Sequence, residues 1–200
     1  MERVVRVMPC TWFTSDYHLG HRNIIRLCDR PFADVEQMDQ TIIERHNACV
    51  GNADTVYDLG DFAFRCSAEY AVARLYRFTG RRYLLLGNHD KPLRQAYKRG
   101  LLDELIESGR LTLVGDTDPR IQTALRVSIE GQAIVLAHFA QRSWHGAFRG
   151  GWHLYGHSHG NLSRFRKSMD VGVDTNDFRP FSFADIQSCM SQVQDSFAED

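Results

Sequence analysis

Short apolar runs and helical stripes alternate along the first half of the chain. Thr11 to Ser15 is a β-rich run and predicts a strand. From Asp34 to Val50 the residues Met38, Ile42 and Ile43 form an apolar stripe at helical spacing. Asp34 and Gln37 have the spacing of a capping box, so this segment predicts a helix. Thr55 to Leu59 predicts a second strand. Ala68 to Phe78 predicts a helix stopped by Gly80. Tyr83 to Leu86 is apolar throughout, as for a strand covered on both faces. Pro92 to Arg99 predicts a helix with its proline in the first turn.

The second half changes character. Leu111 to Val114, Ile121 to Ile129, Ala133 to Ala137, Trp152 to Tyr155 and Met169 to Val173 all predict strands, with a hairpin turn at Glu130-Gly131. Ser182 is a good N-cap for a closing helix to Cys189. Two packed sheets with helices outside satisfy this order of elements. Neither a repeat nor a linker divides the chain.

Length and composition fit an ordinary globular domain: 200 residues, 43% of them hydrophobic. The net charge of −1 gives no global attraction to nucleic acid or membrane, although a locally basic surface stays open. The five cysteines form no C-x-x-C pair, which predicts a reduced intracellular protein with mostly buried thiols. Arg6 interrupts the N-terminal apolar stretch, so no signal peptide is expected, and no run of apolar residues is long enough to span a bilayer. A cytoplasmic location is the expectation.

The nine histidines are more informative, because they cluster. Five predicted strands are each followed at once by metal-competent residues: Asp16-Tyr17-His18, Gly60-Asp61, Gly87-Asn88-His89-Asp90, His138, and Gly156-His157-Ser158-His159. Ligands bind at the carboxyl ends of strands in open α/β sheets, so these segments can converge on one site. Residues spaced i, i+2 on an extended chain point the same way. Asp16 and His18 can thus hold one ion, and His157 and His159 can do the same or divide between two. Carboxylate, imidazole and amide donors suit Mn, Fe, Zn or Ni, with manganese the leading candidate. Taken singly, D-x-H or G-D is usually a polar turn, and a lone histidine is usually a satisfied core residue. The ordered set of five is what points to a metal site.

That ordered set resembles the calcineurin-like metallophosphoesterases over Asp16 to His159. The stretch FTSDYHLGHRNII…RPF is similar to the small stand-alone bacterial and phage members. The resemblance implies an α/β fold, a four-layer sandwich of two mixed β-sheets flanked by helices, as one domain over residues 1–200. It implies two divalent ions. The first is held by Asp16, His18, Asp61 and His159, the second by Asp61, Asn88, His138 and His157, with Asp61 bridging. It makes His89 a catalytic group acting on the leaving group rather than a ligand, oriented by Asp90. A water between the two ions then loses a proton readily, and its hydroxide attacks phosphorus in line. Protein Ser/Thr phosphatases of this superfamily carry Asp-Arg-Gly after the Gly-Asp motif. Here Phe62-Ala63-Phe64 follows, which argues for a small phosphodiester or monoester substrate.

Substrate contacts are expected from Asn88, His21, Arg30 and Arg65, the guanidinium groups matching phosphate bidentately. Arg22, Arg142 and Arg149 are further candidates. Asn23 and His21 either face the site or lie in a surface helix cap. Trp144 and Trp152 either stack on a base or pack in the core. Asp54 and Asp58 resemble ligands in type only, and Asp174 is a candidate supporting carboxylate. Two alternatives remain: a nuclease or nucleotide phosphodiesterase, which the net charge disfavours, and a non-catalytic scaffold of the same fold. Oligomeric state is not read from the sequence.

Overall fold

The computed structural model describes residues 9–118, 121 and 123–193. Its first sheet has the order β4-β3-β2-β1-β9 and is built from β1 (Thr11–Thr14), β2 (Thr55–Asp58), β3 (Arg81–Leu85), β4 (Leu111–Val114) and β9 (Phe181–Ser182). Strands β1 to β4 pair in parallel, and β9 closes the edge antiparallel to β1. The second sheet has the order β5-β6-β7-β8, from β5 (Ala124–Ile129), β6 (Gln132–Ala137), β7 (Trp152–Tyr155) and β8 (Ser168–Asp170). Its β5–β6 pair is the expected hairpin, and β6, β7 and β8 run parallel. The fold is thus two mixed sheets with flanking helices. The start of the strand expected from Ile121 includes residue 122, outside the described residues, as does the N-terminal stretch 1–8.

Helices α1 (Arg22–Leu27), α2 (Val35–Cys49), α3 (Ala68–Leu75), α4 (Lys91–Lys98) and α5 (Asp103–Glu107) precede β4, and α6 (Phe183–Ser191) ends the described chain. The short α5 was not evident in the sequence. Asp34 caps α2 by accepting from the Gln37 N–H at 2.8 Å, while Gln37 reciprocates on Ala33, one residue before the cap. Ser182 and Asp185 form a full capping box at α6.

Two cores result. Met38, Ile42, Ala71, Leu75, Leu84 and Leu93 pack helices onto the outer face of the first sheet. Phe13, Leu59, Leu85, Leu136, Leu154 and Trp152 fill the space between the sheets. Trp152 is therefore a core residue, as is Trp144, which covers the far face of the second sheet with Val135 and Ala147. No disulfide joins the described cysteines; Cys10 is exposed and the others are half-buried rather than buried. No described helix is long and apolar enough to cross a membrane.

Strand β3 departs from its expected double coverage. Tyr83 stacks on Tyr57, which stacks on Phe13, and exposure rises along this row from 0% at Phe13 to 37% at Tyr83. The inter-sheet core ends at β3. On its other face the strand buries a cation: Arg82, lying over Phe78, donates to Asp58 at 2.5 Å, and both are buried. Asp58 is thus a structural partner and no ligand. Removing one member of a buried pair leaves the other charge uncompensated. Arg82→Ala is expected to lower unfolding stability by roughly 3–5 kcal/mol. Urea melts should show a lower midpoint at unchanged slope. A loss under about 1 kcal/mol, the worth of a surface pair, would contradict the assignment.

Candidate metal centre

All five motif segments begin within two residues of the end of a strand paired in parallel, and in three of them the chain turns sharply. Asp16 (φ 62°), His18 (53°), Asp61 (56°), His157 (66°) and His159 (47°) all have left-handed backbones. Such conformations cost free energy for residues with a Cβ and cluster where a site dictates side-chain direction. Gly87 permits a close approach: a Cβ there would collide with the Asp61 carboxylate and lie 2.8 Å from His138 Cε1.

The side chains gather as two groups. Asp16, His18 and His159 each offer a donor atom within 4.8 Å of the others, and so do Asp61, His138 and His157. Asp61 faces both, its Oδ2 standing 3.5 Å from His18 Nε2 and 3.4 Å from His138 Nε2. Asn88 Oδ1 joins the second group, 3.0 Å from His138 Nε2. The buried atoms Asp16 Oδ1, His18 Nε2 and Asp61 Oδ2 have no hydrogen-bond partner. Buried polar atoms are nearly always satisfied, so this set fits cation ligation. Two ligands on one ion, each about 2.1 Å from it, stand roughly 3–4 Å apart. The distances from Asp61 Oδ2 lie in that range.

Neighbouring groups aim the ligands. His138 Nδ1 bonds the Leu59 carbonyl at 2.9 Å and His159 Nδ1 bonds Asp174 at 2.7 Å, which leaves each Nε2 for a ligand role. The Asp61 Oδ1 accepts from the His89 N–H at 2.8 Å. Asp174 is thus the supporting carboxylate foreseen. Asp90 is not what was expected. Its carboxylate accepts from the backbone N–H of Asp61 (2.8 Å), Gly87 (2.9 Å) and Ala63 (3.2 Å), tying two strand-end loops together instead of orienting the His89 ring. Arg30 is also corrected. Its guanidinium is buried and donates to Asp174 and to the Asp16 and Tyr17 carbonyls, so it holds the ligand loop and does not face a phosphate. Neither role has a local sequence signature, because the partners meet only in the folded chain.

A cleft of about 500 Å³ opens over these groups. His21, Asn23, Phe64, Arg65 and His89 line it with His18, Asp61, His157 and His159, whereas Asn88, expected at the substrate, does not. His89 belongs to neither donor group; its ring lies 5.5 Å from His18 and 4.1 Å from Phe64. His21 is on the wall, not the surface. Arg22, Arg142 and Arg149 do not line this cleft.

Among the protein's own charges, burial pushes Asp16 up to about 7 and holds His18 well below its ordinary value. Burial also takes His21 down to about 4 and lowers His157. Burial likewise disfavours charge on His138, but the Asp61 carboxylate 3.4 Å away outweighs it and lifts the imidazole to about 9. Asp174 does the same for His159, to about 10. Asp61 lies below the usual carboxylate range, since its imidazole neighbours outweigh burial.

A profile of calcineurin-like phosphoesterases matches residues 11–161. An uncharacterized protein of Methanocaldococcus jannaschii is 30% identical over 179 residues, covering 86% of this chain and 85% of its own. The gene 66 protein of Mycobacterium phage L5 is 32% identical, covering 84% of this chain and 87% of its own. A crystal structure of a protein of unknown function from Aquifex aeolicus superposes with a TM-score of 0.66 over 91% of this chain and all of that one, at 20% identity.

Ion binding must displace the protons that Asp16, His138 and His159 hold near neutrality, so loading should release roughly two protons per chain at pH 7. Each of these groups holds its proton above its ordinary range, and ligation needs the proton gone. Divalent-ion affinity should therefore rise from about pH 6 to 9. Calorimetry in buffers of different ionisation enthalpy measures the release. Loading without proton release, at an affinity flat across that range, would contradict the geometry.

Proposed function

The chain belongs to the calcineurin-like phosphoesterase family, whose chemistry is metal-dependent phosphoester hydrolysis, and from that premise we propose that it is a dinuclear hydrolase of phosphodiesters or phosphomonoesters. The observation that carries the reading is Asp61 Oδ2, buried without a hydrogen-bond partner and facing both donor groups. Asp16, His18, Asp61 and His159 would hold the first ion, and Asp61, Asn88, His138 and His157 the second. Manganese leads for this oxygen and nitrogen set, with iron, zinc or nickel as alternatives. Such an ion pair supplies a Lewis acid for the phosphoryl oxygens and a water of lowered pKa.

The chain's own residues set the geometry. His89 N–H fixes Asp61 Oδ1, which frees Oδ2 to serve both ions. Asp90 keeps the Asp61 and Gly87 loops in register. Arg65 and His21 flank the phosphate from the cleft wall, and burial keeps His21 neutral. As the ester P–O bond breaks, His89 donates a proton to the departing oxygen.

His89→Ala should keep both ions and lower turnover by roughly 10²–10⁴-fold. Alkyl esters should lose more than nitrophenyl esters, because an alkoxide needs the proton more. The test compares both substrates on stripped protein reloaded with each metal, with elemental analysis of the variant. Equal losses for the two esters would remove the general-acid role, and loss of metal would redraw the ligand set. Parent protein inactive on every ester with every metal would overturn the function.

A further inference from the structure

The charge of this chain is unevenly spread. Between Glu130 and Asp170 the sequence has no acidic residue and five cations, Arg142, Arg149, Arg164, Arg166 and Lys167. All twenty-five acids lie elsewhere, so the net charge of −1 conceals a basic segment. This segment runs from His138 past the fifth ligand motif and crosses the far face of the second sheet twice. Strands β6, β7 and β8 are parallel, so each connection must return from the ligand end to the opposite end.

On that face the cations alternate with aromatic rings. Arg142 lies over Phe165 at 4.5 Å, and Arg166 lies over Phe165 at 5.1 Å and Phe148 at 5.4 Å. Phe148 is 68% exposed, and Arg142 and Arg149 are exposed beside it. Arg126 joins them by register, since it stands opposite Val135, whose side chain packs on this face. The bordering Asp170 is buried, its carboxylate accepting from Ser158 Oγ and the Gly160 and Gly172 N–H groups. At the ligand end the row begins on the connection that follows His138. Arg142 is four residues from His138, at most about 14 Å along the chain. Phe139 packs on the His157 ring at 4.3 Å.

We propose that this face is a track for a single-stranded nucleic acid leading into the metal centre. Exposed guanidinium groups match phosphate oxygens, and the exposed Phe148 ring among them offers a stacking platform for a base, the combination that single-strand grooves use. An acidic protein would match the charge but makes no particular use of an exposed aromatic ring. The inference names the substrate class of the proposed hydrolase; strand cleavage rests on that reading, strand binding does not.

The test measures binding of labelled single-stranded DNA and RNA of roughly 12 nucleotides in EDTA, so that turnover plays no part. Fluorescence anisotropy across a salt series gives the slope of log affinity against log salt. The full chain should bind with a steep slope. The double variant Arg142→Ala, Arg149→Ala should lower the slope by about 1.4, two contacts at about 0.7 each, and weaken binding at low salt. The Arg142→Lys, Arg149→Lys protein should keep the slope, and unchanged thermal midpoints show that both variants fold. Undetectable strand binding, a slope unaltered by the Ala pair, or equal binding to a polyglutamate control would overturn the track. Strand binding by a protein that hydrolyses no ester in EDTA-free, metal-loaded assays would leave the track standing and sink the hydrolase.

Discussion

Two carboxylates, Asp16 and Asp61, lie buried side by side among imidazoles, and the rest of the structure answers to that constraint. Anions out of water need cations or hydrogen-bond donors. Asp16 Oδ2 takes the His157 N–H and Asp61 Oδ1 takes the His89 N–H, but the outer oxygen of each has no hydrogen-bond donor. The left-handed strand ends, the contact at Gly87 and the Asp90 clamp all serve to bring these two oxygens to one place. Arg30 adds positive charge behind the site without occupying it, bonded to Asp174 and to the loop that carries Asp16 and Tyr17.

The same arrangement separates holding from reacting. Each ligand imidazole with a structural partner uses Nδ1 for it, on Leu59 or Asp174, so its ring cannot swing. His89 has only its backbone tied to Asp61, and its ring lies against Phe64 at the cleft wall. A group that hands over a proton must reach a leaving oxygen whose position depends on the substrate, and the cleft wall is where such freedom is available. The basic face of the second sheet then extends the site from one scissile phosphate toward a chain of them.

What the sequence discloses here follows from what each role demands. Side chains able to hold a metal belong to few residue types, and a parallel sheet puts them straight after strands, so Asp16, His18, Asp61, Asn88, His138, His157 and His159 stand out as candidates. The two-sheet order is legible for a similar reason, since apolar runs and helical stripes are local. Asp90 and Arg30 were misread because their tasks depend on partners distant in sequence: Asp90 bonds the Asp61 loop 29 residues away and Arg30 bonds Asp174 at a separation of 144. Arg82 precedes the apolar run Tyr83 to Leu86 from which a strand is expected, yet β3 includes and buries it because its charge is matched by Asp58 from the neighbouring strand. The basic face escaped a reading of net charge because acids elsewhere cancel it.

The account turns on one atom, Asp61 Oδ2, serving two ions at once. Metal content after dialysis tests that most directly. Parent protein should hold about two divalent ions per chain, and Asp61→Ala should lose both, since a bridging carboxylate belongs to each site. Retention of one full ion by the variant would assign Asp61 to a single site. Retention of two would remove the bridge, and with it the central claim.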